Sequence, residues 1–314
     1  MAKYIVQRLI LAIPVIIIVT VGVFILVRVI PGDVAALRLG AQATPEQLDQ
    51  FREQHGLLRP LPIQYGDWVW GAIRGDLDRS LWEGRAVTTV IIEKFPVTME
   101  LAILSVILSA AIGVPLGVLS AVKQDTWVDQ LVRFVAVLFL AIPAFWLAIL
   151  IITFPSIWWS WTPPTSGWTH LWENPATNLW RIFWPAMVIS ASSVALILRL
   201  TRSSMLEVLR QDFIRTARSK GLADRIVLYR HALKNALIPV VTVLGLQLSV
   251  LLGGAVIVEQ VFAIPGMGRS MLQAVFQRDY PLIQGYVLVF ATVYVLMNLL
   301  VDVAYSYLDP RIRY

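Results

Sequence analysis

The sequence predicts an all-α, polytopic membrane protein with six transmembrane helices and a small external subdomain between the first two. Three observations predict it. Of 314 residues, 58% are hydrophobic and 15% charged, whereas a soluble domain carries about 25% charged residues. The apolar residues fall in unbroken runs of the length a bilayer needs, roughly 20 for a helix. Basic residues gather in one non-spanning stretch, Asp212 to Val240, where Arg215, Arg218, Lys220, Arg225, Arg230 and Lys234 are set against only Asp212 and Asp224. Lys and Arg resist translocation, so this stretch belongs on the cytoplasmic side. The net charge of +6 therefore reports orientation and lipid headgroup contact rather than nucleic-acid binding. With no cysteine, thiol catalysis, disulfides and Cys-ligated metals are excluded.

In chain order, residues 1–30 form a cytoplasmic tip and a first span, Leu9 to Ile30, retained because no small-x-small cleavage site precedes Pro31. Arg28, near its outer end, is expected to snorkel to the interface. Residues 31–95 are polar, with acids slightly outnumbering bases, which suits the outer side. Thr44 reads as a helix N-cap with Pro45 at the first helical position. Trp68, Trp70 and Trp82 suggest a packed subdomain, against the plainer reading of a loop lying on helix ends. Residues 96–307 hold the remaining five spans. Thr98 to Val122 carries Gly113, Pro115 and Gly117, a sign of close helix packing. Lys123 to Gln130 reads as a short inner loop, and Leu131 to Phe154 as a third span with Pro143 at its middle. The tryptophan-rich segment from Ser156 to Arg181 reads as an outer aromatic belt and lid, with sugar or peptide stacking as the other reading. Phe183 to Leu200 spans inward and is expected to continue as helix through Arg199, Arg202 and Arg210 into the basic stretch. Ala236 to Val258 spans outward, Glu259 to Pro281 is a short outer segment, and Leu282 to Tyr305 returns. Residues 308–314, with Arg311 and Arg313, form a cytoplasmic tail.

Within the basic stretch, Leu222, Ile226, Tyr229 and Leu233 share one helical face, with Asp224, His231 and Lys234 roughly opposite. Gly221 interrupts the middle, where a helix can stop and turn without a Cβ clash. The stretch reads as two short amphipathic pieces joined at a glycine. The segments RTARSKGL at 215–222 and RHALKNALIPVV at 230–241 resemble the cytoplasmic signature loop of ABC-importer permeases, in the form of the dipeptide/oligopeptide/nickel family's B-type subunit. Arg215, Thr216 and Ala217 stand where the general motif has Glu-Ala-Ala, and Gly221 is its glycine. Two of those three letters differ, and Ile238-Pro239 lacks the strict spacing of the motif's end; both departures are usual in the peptide branch. The resemblance continues in VQRL at 6–9, PGD at 31–33, residues 56–81, AIPAFWLAIL at 141–150, VEQVFAIPGMGRSM at 258–271 and LDPRIR at 308–313.

The resemblance implies a type I ABC importer permease fold and import of dipeptides or oligopeptides. It implies a heterodimer with a second, C-type permease, two ATP-binding subunits beneath and an extracytoplasmic substrate-binding protein above, in a bacterial or archaeal inner membrane. ATP and Mg would be bound by the partners and no cofactor by this chain. Arg215, Thr216, Ala217, Gly221, Leu222 and Ala223 would dock on an ATP-binding subunit. The 31–95 insertion would help meet the binding protein, and a hairpin at 259–281 would dip in near the outer gate. Glutathione, nickel chelates and oligosaccharides travel through relatives of the same machinery.

The motifs that are missing point the same way. The sequence has no G-x-x-x-x-G-K-[ST], H-E-x-x-H or G-x-S-x-G, and His55, His170 and His231 are scattered. This describes a conduit rather than an enzyme. Polar residues in spans are the pathway candidates: Gln247 and Ser249 in the fifth, Asn298 and Asp302 in the sixth, the latter two sharing a helix face. A carboxylate at mid-bilayer costs roughly 2.5–3.5 kcal/mol, so Asp302 should face protein or water, with a pair to Arg199 or Arg202 as the structural alternative. Gly253 and Gly254 are read as a close-packing site. Two other classes stay open on the residues alone: a channel or carrier independent of ATP, and a membrane scaffold without transport.

Overall fold

The computed structural model describes residues 2–29, 32–40, 42–165 and 167–308. The expected tail beyond Leu308, with Arg311 and Arg313, lies outside them. Among the described residues the chain is helical, with one isolated β-bridge between Arg79 and Ala86. In order the helices are α1 (Ala2–Val29), α2 (Val34–Leu39), α3 (Pro45–Gln54), α4 (Leu61–Ile73), α5 (Val87–Val122), α6 (Trp127–Ala141), α7 (Ala144–Trp159), α8 (Pro175–Leu209), α9 (Asp212–Ser219), α10 (Asp224–Ile226), α11 (Leu233–Gly254), α12 (Val256–Val261), α13 (Met267–Gln277) and α14 (Tyr280–Leu308). A π-helical turn, Val227–Ala232, joins α10 to α11. Helices α1, α5, α8, α10–α11 and α14 are each long and apolar enough to cross a membrane. Helices α6 and α7 qualify only as a pair, which brings the count to six when the bent pair is taken as one span.

That span is broken, against the continuous run expected at 131–154. Helices α6 and α7 meet at 100°. Pro143 has no N–H to give the helix, and its ring pushes Ile142 out of the helical region, to φ −81° and ψ 120°. Helix α6 ends at Ala141, and Pro143 then serves as the N-cap of α7.

The chain divides into two units, residues 1–98 with 265–295, and residues 99–264 with 296–314. The core of the first joins Val27 of α1, Leu77, Val87 and Ile91 at the start of α5, Met267 of α13, and Ile283 and Tyr286 of α14. The Tyr286 hydroxyl, fully buried, is 2.6 Å from the Ser270 hydroxyl. Asp279 has no exposed surface and accepts from the Ser80 hydroxyl (2.5 Å), the Leu81 N–H (3.2 Å) and the Leu282 N–H (3.3 Å). One carboxylate thus caps α14 and clamps the loop at 80–82 onto it, while the Trp82 indole donates to Gln277 O at 2.6 Å. Trp68 and Trp82 are half-buried and Trp70 is exposed, so two of the three tryptophans pack.

Local signals in this unit fold as their chemistry requires. Thr44 and Gln47 form a complete capping box at α3, with Pro45 at its first position. Asp33 caps α2 by accepting from Ala35 and Ala36, and takes Arg52 of α3 at 2.8 Å. Arg28, expected at the interface, is held by the polar segment that follows its helix. Its Nε and Nη2 donate to Gln64 Oε1 at 3.2 and 2.9 Å, inside the unit.

In the second unit, α5 packs on α8 through Gly113 and Gly117. A Cβ on Gly117 would lie 2.6 Å from Thr201 Cβ and 2.7 Å from Leu198 O, so only glycine permits this approach. Gly245 of α11 is the corresponding site against Val301 of α14, where a Cβ would come within 2.4 Å. Gly253, expected to pack closely, has open space within the chain, and the surroundings of Gly254 are not among those described. Helix α8 also ends earlier than expected. It stops at Leu209, and Gln211 starts the separate α9.

Two outcomes test these assignments. Gly117→Val should cost about 1–3 kcal/mol by overpacking and lower the thermal midpoint in detergent, whereas Gly253→Ala should leave it unchanged. The second concerns Asp33. Partial burial would raise its pKa, but the hydrogen bond and charge of Arg52, with the Ala35 and Ala36 N–H groups, outweigh this and hold it below the usual carboxylate value. A depressed folded pKa stabilises above the unfolded pKa and stops doing so as pH falls through the folded one. Hydrogen-exchange protection across residues 33–54, taken relative to the free-peptide rate at each pH, should therefore be unchanged from pH 8 to 5 and fall only at pH values below the ordinary carboxylate range.

Candidate coupling element and pathway

The basic stretch folds as helix, glycine, helix. Helix α9 ends in a Schellman motif: the Gly221 N–H bonds Arg218 O (2.9 Å) and the Leu222 N–H bonds Ala217 O (3.4 Å). This places Gly221 at φ +76°, where a side chain is strained although nothing lies within 4 Å of a Cβ there. The second piece is not short. It starts at Asp224, widens through the π-helical turn and runs on as α11, 28 residues in all to Leu251. A π turn inserts an extra residue into a helix and is common at functional positions.

The face that packs is not the one marked by large apolar residues. Leu222, Ile226 and Tyr229 are exposed. Ile214 and Ala217 of α9, Val227 and Ala232 of the π turn and Ala236 of α11 turn inward and form one core with Val118 and Ala121 of α5 and Met205 and Val208 of α8, and Leu233 packs against it. Of the six residues expected to dock, Arg215, Thr216, Gly221, Leu222 and Ala223 are exposed together, and Ala217 belongs to this inner core. Arg215 and Arg218 form exposed pairs with Asp212 and Asp224 at 3.4 and 3.3 Å, worth little in water. Arg225 and Arg230 flank Ile226 and Tyr229 around an open groove.

One turn from this core lies a group that sequence reasoning placed in a loop. Asp129, in the first turn of α6, has no exposed surface. Its Oδ1 accepts from the Ser120 hydroxyl (2.5 Å) and Arg202 Nε (2.9 Å), and its Oδ2 from Arg202 Nη2 (2.8 Å) and the Asp125 N–H (3.1 Å). Arg133 Nε adds a charge at 3.6 Å. The two-pronged guanidinium contact is the strongest ion-pair geometry available to a carboxylate. It ties α5, the loop after it, α6 and α8 at one point. Arg202, one of the two partners weighed for Asp302, is thus held by Asp129. Asp129 could have been found from the sequence only by asking what neutralises Arg202 inside a span.

The pathway candidates sit on α11 and α14. Ser249 is buried and Gln247, Asn298 and Asp302 are half-buried. Gln247 Oε1, Ser249 Oγ and Asn298 Oδ1 are buried with no hydrogen-bond partner among the described residues. Leaving such atoms bare in an apolar medium costs about 1–3 kcal/mol each, so these positions await water, solute or another chain. Gly245 and Val301 bring α11 against α14 within two residues of Gln247 and one of Asp302.

Comparison with known proteins fits this architecture. Residues 113–314 match the model of the binding-protein-dependent transport system inner membrane component, and residues 1–102 match the N-terminal model of the same membrane components. This chain belongs to that family. The permease is 40% identical over 314 residues to a putative peptide transport system permease protein of Brucella abortus (strain 2308), covering 100% of both chains. It is 39% identical to the dipeptide transport system permease protein DppB of Escherichia coli (strain K12), covering 100% of this chain and 99% of that one. In fold it is similar to an inward-facing MetNI methionine ABC transporter, with a TM-score of 0.54 at 18% identity over 70% of this chain and 96% of the other.

As a permease it must hold its helix ends in register, and Asp129 is the test. Removing one partner of a buried pair leaves the other charge stranded, at a cost of up to about 3–5 kcal/mol, reduced here because the Arg202 side chain keeps 19% exposure. Asp129→Leu alone should lower the thermal midpoint more than the double variant Asp129→Leu/Arg202→Met. Equal midpoints for the single and double variants would mean that an Arg202 left without its carboxylate carries no penalty.

Proposed function

We propose that this permease forms half of the translocation pathway of an ATP-driven importer of dipeptides or oligopeptides. The observation that carries the reading is the two-faced α9–Gly221–α10 element. Its inner face is packed into the same core as α5, α8 and α11, and its outer face presents Arg215, Thr216, Gly221, Leu222 and Ala223. A partner that moves this element must move three spans with it. The family assignment and the peptide-permease names of the relatives support the same reading.

The second half of the pathway is a C-type permease, two ATP-binding subunits lie beneath, and a substrate-binding protein delivers solute from outside. Nucleotide and Mg²⁺ bind to the ATP-binding subunits, and this chain performs no chemistry itself. Both termini lie in the cytoplasm, on the side of the basic stretch. ATP-driven closure of the partners displaces α9, the shared core carries that displacement to the spans, and Gln247, Ser249, Asn298 and Asp302 line the path. A ligand shifts such an equilibrium only through different affinity for its two states, so the exposed face of the element meets the ATP-binding subunit differently in each.

Gly221→Val tests this directly. A β-branched residue in the left-handed region costs about 1–2 kcal/mol and distorts the element without filling any occupied space. In reconstituted transporter it should leave assembly intact, keep ATP hydrolysis within about twofold and cut peptide uptake at least tenfold. Unchanged uptake per ATP would remove the coupling role.

A further inference from the structure

The first unit contains a cavity of about 670 Å³, inside the roughly 300–1,000 Å³ range of small-molecule sites. Its wall includes Arg28, Trp68, Asp76, Asp78, Trp82 and Gln284. Three donors in this wall are not accounted for by the protein. Gln284 is 2% exposed, and its Nε2 has no partner. The Trp68 indole N–H is likewise buried and unpartnered. Arg28 is half-buried, yet its guanidinium bonds only neutral acceptors, Phe24 O and Gln64 Oε1, with the rings of Phe24 and Tyr280 at 3.5 and 5.4 Å. Among the described residues no carboxylate pairs with it. Gln64 cannot turn away to make room for one, because its Nε2 is held by Leu57 O and Arg59 O.

A desolvated cation without an anion and buried amide and indole donors without acceptors are each costly. An oxyanion is the ligand group that answers a cation and N–H donors together. The opposite charge is also present in the same wall. Asp76 and Asp78 accept only backbone N–H groups, from Asp78 and Arg79, and keep free oxygens. We propose that this cavity is a binding site for a short zwitterionic peptide, with the free C-terminal carboxylate on Arg28 and Gln284 and the amino end toward Asp76 and Asp78. The site deepens the peptide-import reading and rests on it. It sits in a different unit from the pathway residues, so it is an auxiliary site rather than the pathway itself.

The experiment uses the assembled transporter in nanodiscs of zwitterionic lipid, without nucleotide or binding protein, and trialanine as probe. Calorimetry should show trialanine binding and at least tenfold weaker binding of trialanine amide. Arg28→Gln should weaken the free peptide by a similar factor and abolish the difference between the two, and Arg28→Lys should restore part of it. Hydrogen exchange on the unmutated assembly keeps the proposal testable if the variants do not assemble: trialanine should protect residues 54–84 and 280–284. Equal affinity for acid and amide, or no protection of these residues, overturns the proposal. Binding of short-chain phosphatidylglycerol in place of trialanine, dependent on Arg28, also overturns it and assigns the oxyanion to a lipid phosphate. Peptide uptake by the complete system is read separately. If uptake persists without this binding, only the cavity proposal falls; if no peptide is imported, the substrate reading falls with it.

Discussion

A carboxylate stripped of water survives in its charged form only if every oxygen lone pair it exposes finds a donor, and Asp129 is where the second unit meets that demand. Its four close donors come from two sequence regions, 120–125 and position 202, while the carboxylate itself stands on a third, the start of α6. None of them can be supplied unless α5, α6 and α8 end at the same level. Burial of the pair adds little net stability, since desolvation offsets most of the attraction. What it adds is uniqueness: sliding any one helix by a turn strands a charge. The apolar core under α9 begins immediately beside it, with Val118 and Ala121 bracketing Ser120, and Met205 one turn after Arg202. The polar tie fixes position, and the apolar core fixes orientation.

Much of this was legible in the sequence where the signal is local. Run length gave the spans, Thr44 and Pro45 gave the start of α3, and Gly221 gave the end of α9, because each depends on a few neighbouring residues. The misreadings share a different cause. Asp129 read as part of a loop because its partner, Arg202, is 73 residues away. Periodicity put Leu222, Ile226, Tyr229 and Leu233 on one face, and of these Leu233 alone packs on the core while the other three are exposed. The inner face combines Ile214 and Val227 with Ala217, Ala232 and Ala236, and the three alanines leave little hydropathy trace.

Glycine shows the same limit from the other side. Gly117, Gly245 and Gly253 are indistinguishable as letters in apolar runs. In the structure the first two are sites of backbone approach and the third faces open space. Close packing is a property of the pair of surfaces, and only one surface is written at each position. The substrate path is the least legible part for a related reason. Gln247 and Asn298 stand out only once their oxygens are seen to lack partners.

The break at Ile142–Pro143 falls at the centre of the apolar run from 131 to 154. Helix α6 has 15 residues and α7 has 16, so each is about 23 Å long at 1.5 Å per residue, short of the roughly 30 Å hydrocarbon layer. Where they meet, the end of one helix and the beginning of the next each carry about half an elementary charge, of opposite sign. A permease thereby sets an electric dipole into an oily layer without using an ionisable side chain, and any polar cargo crossing at that depth would feel its field.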